Sequence, residues 1–171
     1  MDDKKWLNEI PYNIGWYLSG FADGEGSFNV SLRKKNYGNG WQISPCFNIS
    51  QRDKTMLSLF KRYLGCGILR ARKDGVVYYE ATNLNCLKNR IIPFFRKFNF
   101  LSSSKKTNFR IFREVLEKMG NGHLEEKELR EILELREELN KGRGRKRKYN
   151  IGDILKSEEI ILNDYTPNSD K

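Results

Sequence analysis

The sequence holds one histidine in 171 residues and only three cysteines. Mechanisms that need several imidazoles, such as zinc hydrolysis or HNH-type nuclease chemistry, are poorly supplied. His123 lies in a Gly-Asn-Gly-His-Leu stretch and reads as a polar turn residue. Cys46, Cys66 and Cys86 are odd in number and have no metal-like spacing. They read as reduced, partly buried thiols of an intracellular protein, with cytoplasm and organelle indistinguishable. No uninterrupted apolar run is long enough to span a bilayer, so no membrane partner is expected. The opening segment MDDKKWLNEI lacks the apolar centre of a signal peptide.

What is present suffices for one domain. Hydrophobic residues make up 38% of the chain, with ten Phe and eight Tyr. The net charge is +10. Six of those charges fall in Lys141-Gly-Arg-Gly-Arg-Lys-Arg-Lys148; without them the balance would be +4, with 26 basic against 22 acidic residues. A compact basic run of this kind suits a phosphate backbone. We therefore expect a domain over residues 1–142 and a basic extension over 143–171. The extension is expected to hold a short helix near Asp153–Leu162 and a disordered end.

Periodicity predicts a helix from Tyr12 to Gly24. Two hairpins follow, over residues 27–50 and 66–82, with a helix over 54–64 between them. Further helices are expected near 84–98, 105–119 and 124–140. The first hairpin alternates: Phe28, Val30, Leu32, Ile43, Phe47 and Ile49 share one face. The opposite face carries Asn29, Ser31, Arg33, Lys35, Gln42, Ser44 and Asn48, and the second hairpin adds Arg70, Arg72, Tyr78 and Glu80. A solvated sheet face is usually polar, but Arg, Asn and Gln are also the side chains that pair with base edges in the major groove. The fold class is α+β, with an antiparallel sheet buried on one face.

The first helix ends in Leu18-Ser19-Gly20-Phe21-Ala22-Asp23-Gly24-Glu25-Gly26. Gly15, Ser19 and Ala22 fall at i, i+4 and i+7, a stripe of small residues that lets two helix backbones approach. Asp23 and Glu25 place carboxylates where the helix dipole is already negative. A bound hard cation relieves that conflict, and carboxylate and carbonyl oxygens suit Mg²⁺ or Ca²⁺. A glycine-rich cap with an exposed acid is the plainer alternative.

This nonapeptide resembles the LAGLIDADG motif of homing endonucleases. QRDKTMLSLFKRYLGCG, SKKTNFRIFREVLEKM and GHLEEKELREILELREELNKG extend the resemblance over residues 12 to 142. Ser19, Gly24 and Glu25 depart from the family pattern, but a carboxylate is kept at the critical position. The resemblance implies the α-β-β-α-β-β-α fold with a curved four-stranded DNA-binding sheet. It also implies site-specific, metal-dependent cleavage of both DNA strands, with the gene in a mobile intron. Glu25 and the Gly24 carbonyl would bind Mg²⁺, for which Ca²⁺ or Mn²⁺ can substitute. Asp23 would be structural or an outer-shell ligand, Gln51 would position water, and either Lys105 or Lys106 would offset phosphate charge. Arg52 and Lys54 are further candidates for phosphate contact.

One motif per chain implies a homodimer on a pseudo-palindromic site, packed through Gly15, Ser19 and Ala22. Asn29, Ser31, Arg33, Lys35, Gln42, Ser44, Asn48, Arg70, Arg72, Tyr78 and Glu80 would face bases, and Arg145, Lys146, Arg147 and Lys148 phosphates. An intron-RNA maturase on the same fold is the second reading. A catalytically dead DNA-binding regulator is the third, and the retained Glu25 argues against it.

Overall fold

The computed structural model describes residues 5–34, 40–120, 126–141, 149–155 and 159–162. Element order is α1 (Lys5–Asn8), α2 (Tyr12–Glu25), β1 (Gly26–Lys34), β2 (Gly40–Gln51), α3 (Lys54–Leu64), β3 (Ile68–Ala71), β4 (Val77–Ala81), α4 (Leu84–Cys86), a π-turn (Leu87–Ile91), α5 (Ile92–Lys97), α6 (Ser103–Lys118), α7 (Glu126–Glu138), α8 (Ile151–Leu155) and β5 (Glu159–Leu162). The main sheet runs β1-β2-β4-β3, and β5 pairs with β2. The chain divides into two compact units, one of residues 1–27 and 47–107, the other of 28–46 and 108–171.

In the first unit the local signals act as chemistry requires. Asp53 caps α3 by accepting from the Thr55 amide at 2.8 Å, and Gly65 ends it in the left-handed region. Met56, Leu57, Phe60 and Leu64 form its buried face. β4 pairs antiparallel with β2 (Phe47↔Ala81 to Gln51↔Val77) and with β3 (Ile68↔Glu80 to Ala71↔Val77). Val77, Tyr79 and Ala81 point inward, and Tyr79 donates from its hydroxyl to the Cys66 carbonyl. The helix expected over 84–98 is interrupted by the π-turn. Pro93, in the first turn of α5, offers no backbone N–H, and the wider turn absorbs that loss.

In the second unit Phe28 packs on Phe109 and Phe112, and Trp41 meets Tyr149 edge-on. Arg136, only 5% exposed, donates to the Val30 and Tyr149 carbonyls. Its burial is tolerated because charge-assisted hydrogen bonds replace water. Asn140, at φ 57°, ends α7 and donates to the Phe28 carbonyl.

Two expectations are corrected. The helix expected over 153–162 is instead α8, followed by β5 in parallel register with Gly40–Ile43 of β2. Ile160 and Ile161 are β-branched and favour a strand, whose backbone pairs with β2. Cys66 and Cys86 are not thiols but a disulfide, with Cα atoms 5.9 Å apart; Cys46 alone is a free, buried thiol. The bond closes a loop of sequence separation 20 between the end of α3 and α4. On the chain-entropy estimate, reduction should cost about 3 kcal/mol. Urea unfolding with and without a thiol reductant measures this, and a Cys86→Ser variant should lose the dependence on reductant.

Candidate active site and nucleic-acid interface

α2 delivers the motif to its site. Leu18, Ser19 and Ala22 are buried, and the chain leaves the helix at Gly26. A Cβ on Gly26 would lie 2.6 Å from the Ala22 carbonyl oxygen and 3.2 Å from the Phe47 ring, so the turn into β1 admits only glycine. Gly24 and Glu25 are therefore held at the exposed end of a rigid helix. Among the described residues no hydrogen bond or ion pair engages the Glu25 carboxylate.

Lysine closes the other side. Lys105, in the first turn of α6, donates its ammonium to the Gly26 carbonyl. Lys106 is exposed and does not make this contact. The sequence left the two lysines open; the geometry brings Lys105 to the acid-bearing end of α2. Gln51 ends β2 and accepts from the Arg52 amide at 2.8 Å. Arg52 and Lys54 are exposed beside it.

Asp23 has a structural task. Its carboxylate accepts from the Leu101 and Ser102 amides at 3.0 and 2.9 Å and from the Ser102 hydroxyl. It thereby ties the end of α2 to the start of α6. Partial burial pushes its pKa up, but the Ser102 and Leu101 hydrogen bonds and the Lys105 charge outweigh it, and the net shift is downward. A depressed folded-state pKa adds stability above the ordinary value near 3.8 and loses it as pH falls through the lowered one. Asp23→Ala should cost about 1 kcal/mol at pH 7, as for loss of a capping acid. That gap should close in strong acid. An equal gap at pH 7 and pH 2 in denaturant titrations would contradict the assignment.

The small-residue stripe is corrected. Gly15, Ser19 and Ala22 face the interior of their own chain. Ser19 donates to the Phe98 carbonyl at 2.7 Å, and a Cβ on Gly15 would sit 2.1 Å from the Phe98 ring. Periodicity finds a stripe but cannot tell which neighbour it serves. The outward stripe is Asn13, Tyr17, Gly20 and Gly24. Tyr17 is 57% exposed, and a Cβ at Gly20 or Gly24 would meet nothing within 4 Å.

The polar face has the expected parity. In the second unit Ser31 and Arg33 are exposed, and Asn29, Gln42 and Ser44 half-buried. In the first unit Ser50 and Arg70 flank Tyr78 across the strands, and Asn48 and Ile68 flank Glu80. Arg70 approaches Glu80 at 3.7 Å. Lys35, His123, Arg145, Lys146, Arg147 and Lys148 lie outside the described residues. Sequence reasoning missed Ser102 and Leu101 as donors to Asp23. A serine three residues before Lys105 was the available signal, since serine is a common N-cap.

A helix that presents a carboxylate at the head of an antiparallel sheet, followed by a second helix and hairpin, defines the α-β-β-α-β-β-α class of fold. The LAGLIDADG endonuclease family model matches residues 18–116. The chain belongs to that family. It is 30% identical over 152 residues to a Neurospora crassa protein named probable intron-encoded endonuclease 2, covering 85% of this chain and 33% of that one. It is 29% identical to the homing endonuclease I-ApeII of Aeropyrum pernix, covering 58% of this chain and 60% of that one. The chain thus spans about a third of the Neurospora relative's length. Among solved structures, the homing endonuclease I-TnaI matches with TM-score 0.67 and 31% identity, over 78% of this chain and 92% of that one. The meganuclease I-SmaMI bound to uncleavable DNA matches with TM-score 0.69 and 32% identity, over 79% of this chain and 47% of that one.

Proposed function

We propose that this chain is a site-specific double-strand DNA endonuclease, encoded in a mobile intron and acting as a homodimer on a pseudo-palindromic site. The observation that carries the reading is the Glu25 carboxylate held exposed at the end of α2, with Lys105 fixed on the adjoining Gly26 carbonyl. No group of three or more His, Cys, Asp or Glu forms a closed metal site among the described residues. The available donors are one carboxylate and the Gly24 carbonyl. That set suits Mg²⁺, which commonly takes one or two carboxylates and completes its shell with water and substrate phosphates. Ca²⁺ or Mn²⁺ fits the same oxygens.

When bound, the metal supplies Lewis acidity toward the phosphate and lowers the pKa of coordinated water. Gln51 orients the attacking water. Lys105 stabilises charge on the phosphate, at the place where it develops. The polar faces of β1, β2 and the β3–β4 hairpin read bases, while Arg145, Lys146, Arg147 and Lys148 meet phosphates.

The dimer forms through the outward α2 stripe. Gly20 and Gly24, four residues apart, leave room for a second backbone. Tyr17 and the 69%-exposed Tyr12 supply apolar area. The two Glu25 carboxylates then approach each other, which bound cations make tolerable. Relatives named as endonucleases favour this reading over an RNA maturase.

The test is selection by the full chain from a pool of randomised duplex DNA and structured intron-like RNA, in chelator. Enrichment of one two-fold-related duplex is expected. Enrichment of RNA instead, or of nothing, would overturn the reading.

A further inference from the structure

Arg72 stands at the base of the turn between β3 and β4, and its side chain does not reach out alone. Its Nη1 donates to the Tyr78 hydroxyl at 2.9 Å, and its Nη2 meets the Asp74 Oδ2 at 2.9 Å. Asp74 is itself fixed, because its Oδ1 accepts from the Val76 amide at 3.2 Å. The turn is closed by Gly75 N–H donating to the Arg72 carbonyl at 3.1 Å and Arg72 N–H to the Val76 carbonyl at 2.8 Å. Gly75 has φ 81°, which a side chain would strain. Arg72 nonetheless stays 56% exposed.

An arginine has five N–H donors in a planar fork. Two are used here, and three remain on a side chain that is still largely exposed. The ion pair with Asp74 leaves little net charge. The Asp74 carboxylate repels an approaching phosphate anion far more strongly than a neutral double acceptor. Guanine presents such a pair, O6 and N7, in the major groove. Holding the fork in advance also removes much of the rotamer entropy lost on binding.

We propose that Asp74 and Tyr78 are positioning residues that hold Arg72 to read one guanine in each half-site. This rests on the DNA-recognition reading above. It sets Arg72 apart from a general phosphate contact.

The test compares full-length parent, Asp74→Asn, Tyr78→Phe and Arg72→Lys by selection from randomised duplex DNA and by salt titration of binding. Asparagine at 74 can still accept from the Val76 amide, so the turn is kept while the anionic partner is lost. In the parent, guanine should be preferred at one position per half-site by on the order of ten- to hundredfold. Asp74→Asn and Tyr78→Phe should each lower that preference several-fold. Arg72→Lys should abolish it, because ammonium keeps the charge but not the fork. The slope of affinity against salt should stay at the parent value in Tyr78→Phe and Arg72→Lys. An unchanged guanine preference in Asp74→Asn and Tyr78→Phe would overturn the positioning role. An Arg72→Lys protein with the parent's sequence preference and salt slope would make Arg72 a phosphate contact and overturn the proposal. A parent that enriches no duplex would instead refute the DNA-recognition reading itself.

Discussion

Glu25→Gln is expected to abolish cleavage while leaving specific DNA binding intact. The substitution keeps nearly the same size and removes the exposed carboxylate at the end of α2 to which the proposal assigns the metal. Loss of even an outer partner of a metal ligand costs about 10–100-fold, so loss of the ligand's own charge should cost more than about 100-fold. On the proposed reading, binding rests on the polar sheet face and the basic run and should persist. In the proposed dimer the substitution also relieves repulsion between two acids, so the metal-free protein should be no less stable than the parent. A binding isotherm and a cleavage time course on the same duplex, with Mg²⁺ present, separate the effects. Cleavage near the parent's rate would place the metal elsewhere.

Gly20→Leu should give a folded monomer that no longer cuts both strands. Position 20 is exposed, and a Cβ there meets nothing in its own chain. A leucine on that stripe would instead occupy the space a second helix needs. Gly15→Ala is the contrasting case. Its Cβ would fall 2.1 Å from a Phe98 ring that is wholly buried and cannot swing away. It should cost the fold about 1–3 kcal/mol or more through overpacking. Sedimentation velocity and denaturant titration tell the two apart. A Gly20→Leu protein that stays dimeric and cuts at the parent's rate would remove the outward stripe from the interface.

Much of this was legible beforehand because the signals were local. Alternation in residues 27–50 and the span of α3 depend on neighbours within a few residues, and the structure follows them. The motif likewise gave the end of α2. What was not legible depends on distant partners. The stripe of Gly15, Ser19 and Ala22 looks the same whether it meets Phe98 or a second chain. Cys66 and Cys86 carry no spacing that announces a bond, and only folding brings their Cα atoms to 5.9 Å. Lys105 and Lys106 are adjacent, and only the rotation of α6 about its axis distinguishes them. The tie between Asp23 and Ser102 spans 79 residues of sequence. The α8–β5 segment defeated periodicity because a four-residue strand with three apolar residues fits either pattern.

The most direct measurement is the fate of the duplex that the chain itself selects, incubated with the full-length protein in Mg²⁺ and, separately, in chelator. The account expects both strands to be cut at one fixed position in Mg²⁺ and neither in chelator. An uncut duplex in Mg²⁺, or equal cutting in chelator, would contradict it.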